Sequence, residues 1–150
     1  MNDSFLRDCL FFTANRLGRT ITKLAEEQFA STTGLTPMYG YLLLLVNGLP
    51  GISQKELAEK LHVTPSTLTR FVDKLEARRL VERKVNGKSV QVYPTGKSQA
   101  LEEPIRRASR SLHDAYAAVL GDERAKALSA EILRASLQLE GKEAGNPAGG

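Results

Sequence analysis

The sequence predicts a mainly α-helical chain of 150 residues with one small β-hairpin. Three observations carry the prediction. Between Ser53 and Glu76 two helices with explicit start signals succeed one another through a short turn. Directly after them, two β-prone runs flank Asn86-Gly87-Lys88. On both sides of this centre the chain reads as amphipathic helix.

The first element is a helix from about Ser4 to Phe29, a stretch without proline. Leu6, Leu10, Leu17, Ile21 and Leu24 fall on one stripe, and Phe5, Cys9, Phe12 and Arg16 on a shorter second one. A helix apolar on two sides must be covered on two sides, which a second copy of the chain can do. Thr36-Pro37 then supplies an N-cap and a first-turn proline for a helix through about Val46. Leu42 to Val46 is an unbroken apolar run, the mark of a central, buried helix, and Asn47-Gly48-Leu49-Pro50-Gly51 ends it.

Ser53 with Glu56 three residues on is a capping box. Leu57, Ala58 and Leu61 line one face of the short helix it opens, with Gln54, Lys55, Glu59 and Lys60 on the other. His62-Val63 is the turn, after which Thr64 caps a second helix with Pro65 at its first position. Leu68, Phe71, Val72 and Leu75 cluster inward on that helix. Ser66, Thr67, Thr69, Arg70, Asp73 and Lys74 face outward. Small hydroxyls near a helix start allow close approach to a groove, and an arginine can fork onto a guanine edge or a phosphate. Asp73 fits a local ion pair with Lys74 or Arg70 better than a DNA contact.

The runs Leu80–Val85 and Ser89–Tyr93 are strand-like, and Asn-Gly between them is a hairpin signal. A helix-turn-helix joined directly to a basic hairpin is the winged helix-turn-helix arrangement. Lys84 and Lys88 stand at or beside the hairpin tip, within reach of phosphates. After the wing, Thr95 caps a long helix to about Leu120, which Pro104 should kink or divide. Gly121 breaks the chain again. The last helix, Asp122 to Leu139, has acids at its positive end and an apolar face of Leu128, Ile132, Ala135 and Leu139. Glycine-rich 141–150 reads as a disordered tail.

Charge agrees with a DNA-reading centre. From Ser53 to Arg110 there are 13 Lys or Arg against 7 Asp or Glu, a balance of +6 on a chain whose total is +4. The single cysteine rules out an internal disulfide, and His62 and His113 stand in unrelated contexts, so no metal or other cofactor is expected. No glycine-rich phosphate loop, nucleophile elbow or metal-ligand cluster is present, which argues against an enzyme. No apolar run has the length of a membrane span and the N-terminal residues lack a signal peptide's pattern; a cytoplasmic protein without membrane contact is expected.

The order of elements and several sequence words resemble the MarR family of transcription regulators over about residues 5 to 140. The words are Gly34-Leu35-Thr36, Gln54 to Leu61, Thr67 to Glu76 with Leu80-Val81-Glu82-Arg83, and Pro94-Thr95-Gly96-Lys97. The resemblance implies a winged helix-turn-helix DNA-binding domain at 36–95 and a helical dimerisation region at 4–30 and 96–140. It further implies a homodimer whose two heads read successive major grooves of a pseudo-palindromic duplex site. Repression by occupancy is then expected, with Ser66, Thr67, Thr69 and Arg70 in the groove and Lys74, Lys84 and Lys88 on phosphates. The family's usual wing is longer and carries an Asp-Arg-Arg-type stretch, so here the helix from Pro65 must hold most of the specificity.

Two modes of control are compatible with the residues. Phe12, Arg16 and Tyr39 could form a pocket for a small aromatic acid, the guanidinium pairing the carboxylate and the rings holding the apolar body. Alternatively Cys9 could sense peroxide, as a cysteine on the first helix does in one MarR subgroup; a sensor thiol needs a neighbouring cation, for which Arg7 and Arg16 are the candidates. A winged helix serving protein contact alone is the remaining reading, and the polar, basic recognition face speaks against it.

Overall fold

A computed structural model describes residues 2–142. They form two compact units, the first ending at Ser111 and the second beginning at Leu112. In the first unit the order is α1 (Ser4–Arg7), α2 (Leu10–Thr33), α3 (Pro37–Gly48), β1 (Ile52–Ser53), α4 (Gln54–Leu61), α5 (Pro65–Ala77), β2 (Val81–Asn86), β3 (Ser89–Pro94) and α6 (Gly96–Ala100). α7 (Glu102–Leu120) begins in the first unit and passes into the second, which ends with α8 (Asp122–Leu139).

The expected continuous N-terminal helix is interrupted. Cys9 is extended, at φ −98° and ψ 117°, and stands at the N-cap of α2, which starts afresh at Leu10; its carbonyl accepts the N–H and the hydroxyl of Thr13. The stripe of Phe5, Cys9, Phe12 and Arg16 is therefore not one helical face. α2 then runs past Phe29 to Thr33, where Gly34 at φ 69° takes the left-handed ending that glycine adopts without cost. Thr36 stands at the N-cap of α3 by backbone shape alone, its side chain making no capping bond.

α3 is the hub of the core, as its apolar run predicts. Leu42, Leu43 and Val46 are fully buried, together with Phe29, Leu57, Leu68, Val72, Leu75, Val92 and Ile105. Gly40 is required by close approach. A Cβ there would lie 2.7 Å from Cε2 of the buried Phe29 ring. At the other end of α3 a polar knot ties the helix to the segment after the wing. The hydroxyl of buried Ser98 donates to Asn47 Oδ1 at 2.8 Å, and Asn47 Nδ2 donates to the Ser98 carbonyl and to Glu102 Oε1.

The sheet has three antiparallel strands in the order β1-β3-β2, one more than the hairpin read from the sequence. β1 is only two residues long, too short to show a pattern, and pairs Ile52 with Val92 and Ser53 with Gln91. In the hairpin, Asn86 pairs with Ser89, so the turn is Gly87-Lys88. Gly87 has φ 63° and is the first of the two central residues, the position that a type II′ turn reserves for glycine. Pro104 falls in the first turn of α7, where no N–H is needed, and the break it announced comes at Leu101, between α6 and α7. The tail expected at 141–150 lies, from position 143 onward, outside the described residues.

In the second unit, His113 Nδ1 lies 3.0 Å from the Tyr116 hydroxyl and its Nε2 3.1 Å from Asp122 Oδ1. The hydrogen bond from His113, and then that from Lys126, hold the Asp122 carboxyl below its ordinary value. These contacts join the end of α7 to the start of α8.

Candidate nucleic-acid interface

The helix-turn-helix is built as its signals predict, except that the capping box is half formed, the Glu56 side chain making no return bond to the Ser53 N–H. Ser53 accepts the Glu56 N–H at 3.1 Å and Thr64 the Thr67 N–H at 3.2 Å. His62 closes α4 in the left-handed conformation, at φ 56°, with the Val63 N–H bonded to the Ala58 carbonyl. α5 buries Leu68, Val72 and Leu75, while Phe71 is half-buried and meets Tyr39 of α3 edge-on with ring centroids 5.3 Å apart.

The opposite side of α5 carries the groove candidates. Ser66, Thr69, Arg70 and Lys74 are exposed and Thr67 half-exposed. All but Lys74 are already held, by Thr64, by each other or by the backbone. The Thr64 hydroxyl donates to Thr67 Oγ1 at 3.0 Å and lies 3.3 Å from Ser66 Oγ. Arg70 Nη2 donates to the same Thr67 Oγ1 at 3.3 Å, and Thr69 Oγ1 donates to the Pro65 carbonyl. A row of hydroxyls with one guanidinium, held by weak bonds, can exchange them for bonds to base edges or phosphates at little cost.

The residue that sets this surface in place is Arg83, to which the sequence patterns assign no role. Its side chain is mostly buried and meets acceptors on two helices. Nη1 pairs with Asp73 at 2.7 Å and Glu76 at 3.2 Å, Nη2 donates to the Thr69 carbonyl at 3.0 Å, and Nε donates to Gln54 Oε1 at 2.8 Å. The Arg83 N–H adds a bond to Glu76 Oε2. Asp73 therefore forms a local ion pair, as expected, but with Arg83 of β2 rather than with Lys74 or Arg70. Planar, forked and permanently charged, arginine alone can bridge this set.

On the wing, Lys88 is exposed at the turn, and the Lys84 ammonium lies 4.7 Å above the Tyr93 ring. Phe12 is half-buried and Arg16 exposed on α2, whereas Tyr39 sits against the back of α5 through Phe71. A groove of about 500 Å³ runs along α2 past Ala14, Asn15, Gly18, Arg19, Thr22 and Glu26, and none of the three lines it. Cys9 is exposed at the start of α2, and Arg7, one of the cations considered for it, pairs with Asp3 at 3.6 Å.

Comparison with known proteins places this geometry. The MarR family model matches residues 33–89, the segment from the end of α2 to the start of β3. No curated protein matches the chain. Among solved structures, CouR from Rhodococcus jostii RHA1 bound to p-coumaroyl-CoA is similar at a TM-score of 0.73 and 22% identity, over 86% of this chain and 92% of that one. The PcaV transcriptional regulator from Streptomyces coelicolor, in complex with its natural ligand, gives a TM-score of 0.78 at 19% identity, over 91% and 97%. The S. aureus MepR–DNA complex gives 0.74 at 16% identity, over 87% and 98%. Residues 33–89, which hold the helix-turn-helix and the first strand of the wing, thus match the MarR family model, and the chain has the fold of these solved structures.

Proposed function

We propose that the chain is a MarR-type transcriptional repressor that binds a pseudo-palindromic duplex site as a homodimer and leaves it when a small aromatic ligand binds. The observation that carries this reading is the outward face of α5. Its hydroxyls and Arg70 are preordered and all but the half-exposed Thr67 are exposed, while Arg83 fixes the helix to the wing and to α4. In use, Ser66, Thr67, Thr69 and Arg70 enter the major groove, and Lys74, Lys84 and Lys88 bind phosphates. Two such heads must stand about 34–36 Å apart to meet successive grooves, so a ligand that changes their spacing by a few ångströms breaks the register.

A ligand releases DNA only through its differential affinity for the two arrangements of the heads. The CouR and PcaV structures hold ligands, and Phe12, Arg16 and Tyr39 are the residues proposed to sense one here. Tyr39 is the informative member, because its ring touches Phe71, the residue next to Arg70. In the domain assignment, 36–95 reads DNA, and 4–30 with 96–140 joins the two copies.

Selection of bound duplexes from a random pool tests the reading. Recovery of an inverted-repeat motif is expected, with Arg70→Ala weakening binding to it by roughly 10- to 100-fold. Absence of binding to any duplex at low salt would refute DNA recognition. A screen of aromatic acids for release of the selected duplex tests the second half.

A further inference from the structure

The far end of α5 carries positive charge that the groove-reading role leaves unused. Arg70, Lys74 and Arg78 stand four residues apart, so they form one outward row, and Arg79 comes directly after. Both arginines at the end of the row are exposed. Neither guanidinium has an acidic partner among the described residues. The two acids at the end of α5 that could neutralise them, Asp73 and Glu76, are both engaged by Arg83.

The backbone makes Arg79 the more telling of the two. α5 closes with the Leu80 N–H on the Leu75 carbonyl and the Arg79 N–H on the Glu76 carbonyl, each at 2.9 Å. This ending puts Arg79 at φ 60°, the left-handed position that glycine ordinarily fills and that a side chain strains. The conformation is held from outside: the Thr95 hydroxyl bonds to the Arg79 carbonyl at 2.8 Å and lies 3.2 Å from that of Leu80. The Arg79 side chain is exposed and makes no hydrogen bond or ion pair among the described residues. A charged group kept where its backbone is strained, beside a second unpaired arginine, is placed for an anion that comes from elsewhere. Lys97 adds a third charge at the same corner, its ammonium donating to the Arg78 carbonyl at 3.0 Å.

We infer that Arg78 and Arg79, with Lys97 beside them, bind backbone phosphates of the duplex at the edge of the groove that α5 reads. The inference rests on the DNA-binding function proposed for α5. Arg78, the C-cap of α5, comes eight positions after Arg70, about 12 Å along the axis, which is also about the width of the major groove. With Arg70 among the base edges, the inference requires α5 to cross the groove, so that the arginine pair at its far end meets a bordering phosphate strand. An acidic protein surface is the lesser candidate, because it would have to share one face of one helix with the DNA.

The test compares the unaltered chain with Arg79→Gly, Arg78→Ser and the double variant, using a fluorescent random-sequence duplex between about 50 and 200 mM salt. Arg79→Gly is expected to melt about 2–4 °C higher, because glycine relieves the backbone. Its plot of log affinity against log salt should nevertheless be shallower by about 1 per head engaged, which is roughly a 3- to 4-fold smaller gain in affinity from 200 to 50 mM. Arg78→Ser should lose the same slope without the gain in melting temperature, and the double variant about twice as much. An unaltered chain that binds duplex while both single variants keep its slope overturns this inference and leaves DNA recognition standing. The inference fails equally if the slopes are the same and the double variant instead loses binding to polyglutamate. An unaltered chain that binds no duplex at low salt overturns both.

Discussion

Single side chains decide more here than their number suggests. Arg83 closes contacts to Asp73, Glu76, Gln54 and the Thr69 carbonyl, so its removal leaves two adjacent carboxylates of α5 without their cation. Arg83→Ala should cost about 1–3 kcal/mol in denaturant unfolding and weaken duplex binding without touching a groove residue. Arg83→Lys should recover only part of both, since a point ammonium cannot serve the forked set. Its role was hidden in the sequence because the partners lie 7, 10, 14 and 29 positions away, on other elements. Gly40 was equally silent: a glycine inside an apolar helix is uninformative until the Phe29 ring is seen against it. Gly40→Ala pushes on a fully buried ring and should destabilise by about 1–3 kcal/mol, measured the same way.

At the scale of elements, what was legible had a local physical signature. Ser53 and Thr64 announced α4 and α5 because a cap bonds to an N–H only three residues away, and both bonds are present. Thr64→Ala should therefore lower stability by about 1 kcal/mol and fray the start of α5, so that duplex affinity falls along with the melting temperature. Strand β1 and the restart of the first helix at Leu10 left no such mark, since one depends on pairing with β3 and the other on an extended backbone at Cys9 that no proline or glycine announces. The junction of α7 and α8 has a pH signature. Because His113 and Lys126 hold the Asp122 carboxyl below its ordinary value, the contribution of that group is complete above about pH 4, the unfolded carboxylate range, and is lost as pH falls through the lowered folded value. Circular dichroism between about pH 6 and 2 should show a shallower acid limb for Asp122→Asn than for the unaltered chain.

For the whole molecule, the apolar residues that the fold leaves uncovered bear on assembly. In the first unit Phe5, Leu10 and Phe11 are 67%, 66% and 78% exposed, and in the second Val119, Leu133 and Leu139 are 84%, 60% and 79% exposed. Scattered single exposures need no explanation, but large apolar residues repeated along α1–α2 and α7–α8 put the burden on a partner surface. These helices are the ones proposed to join two copies, and a head alone presents one α5 to one groove. Phe11→Asp and Leu133→Asp each place a charge among the exposed apolar residues of their own unit, and burying an unpaired carboxylate is costly enough to split a dimer. Sedimentation velocity at micromolar concentration should find the unaltered chain as a dimer and the Asp variants shifted toward monomer. The functional consequence is separable from misfolding, because a folded monomer keeps one head. Its binding to a two-half-site duplex should fall to that of a single half-site, with the salt dependence roughly halved. Monomers in both cases, with equal affinity and equal salt dependence, would mean that one head suffices and that the helices outside residues 36–95 serve another purpose.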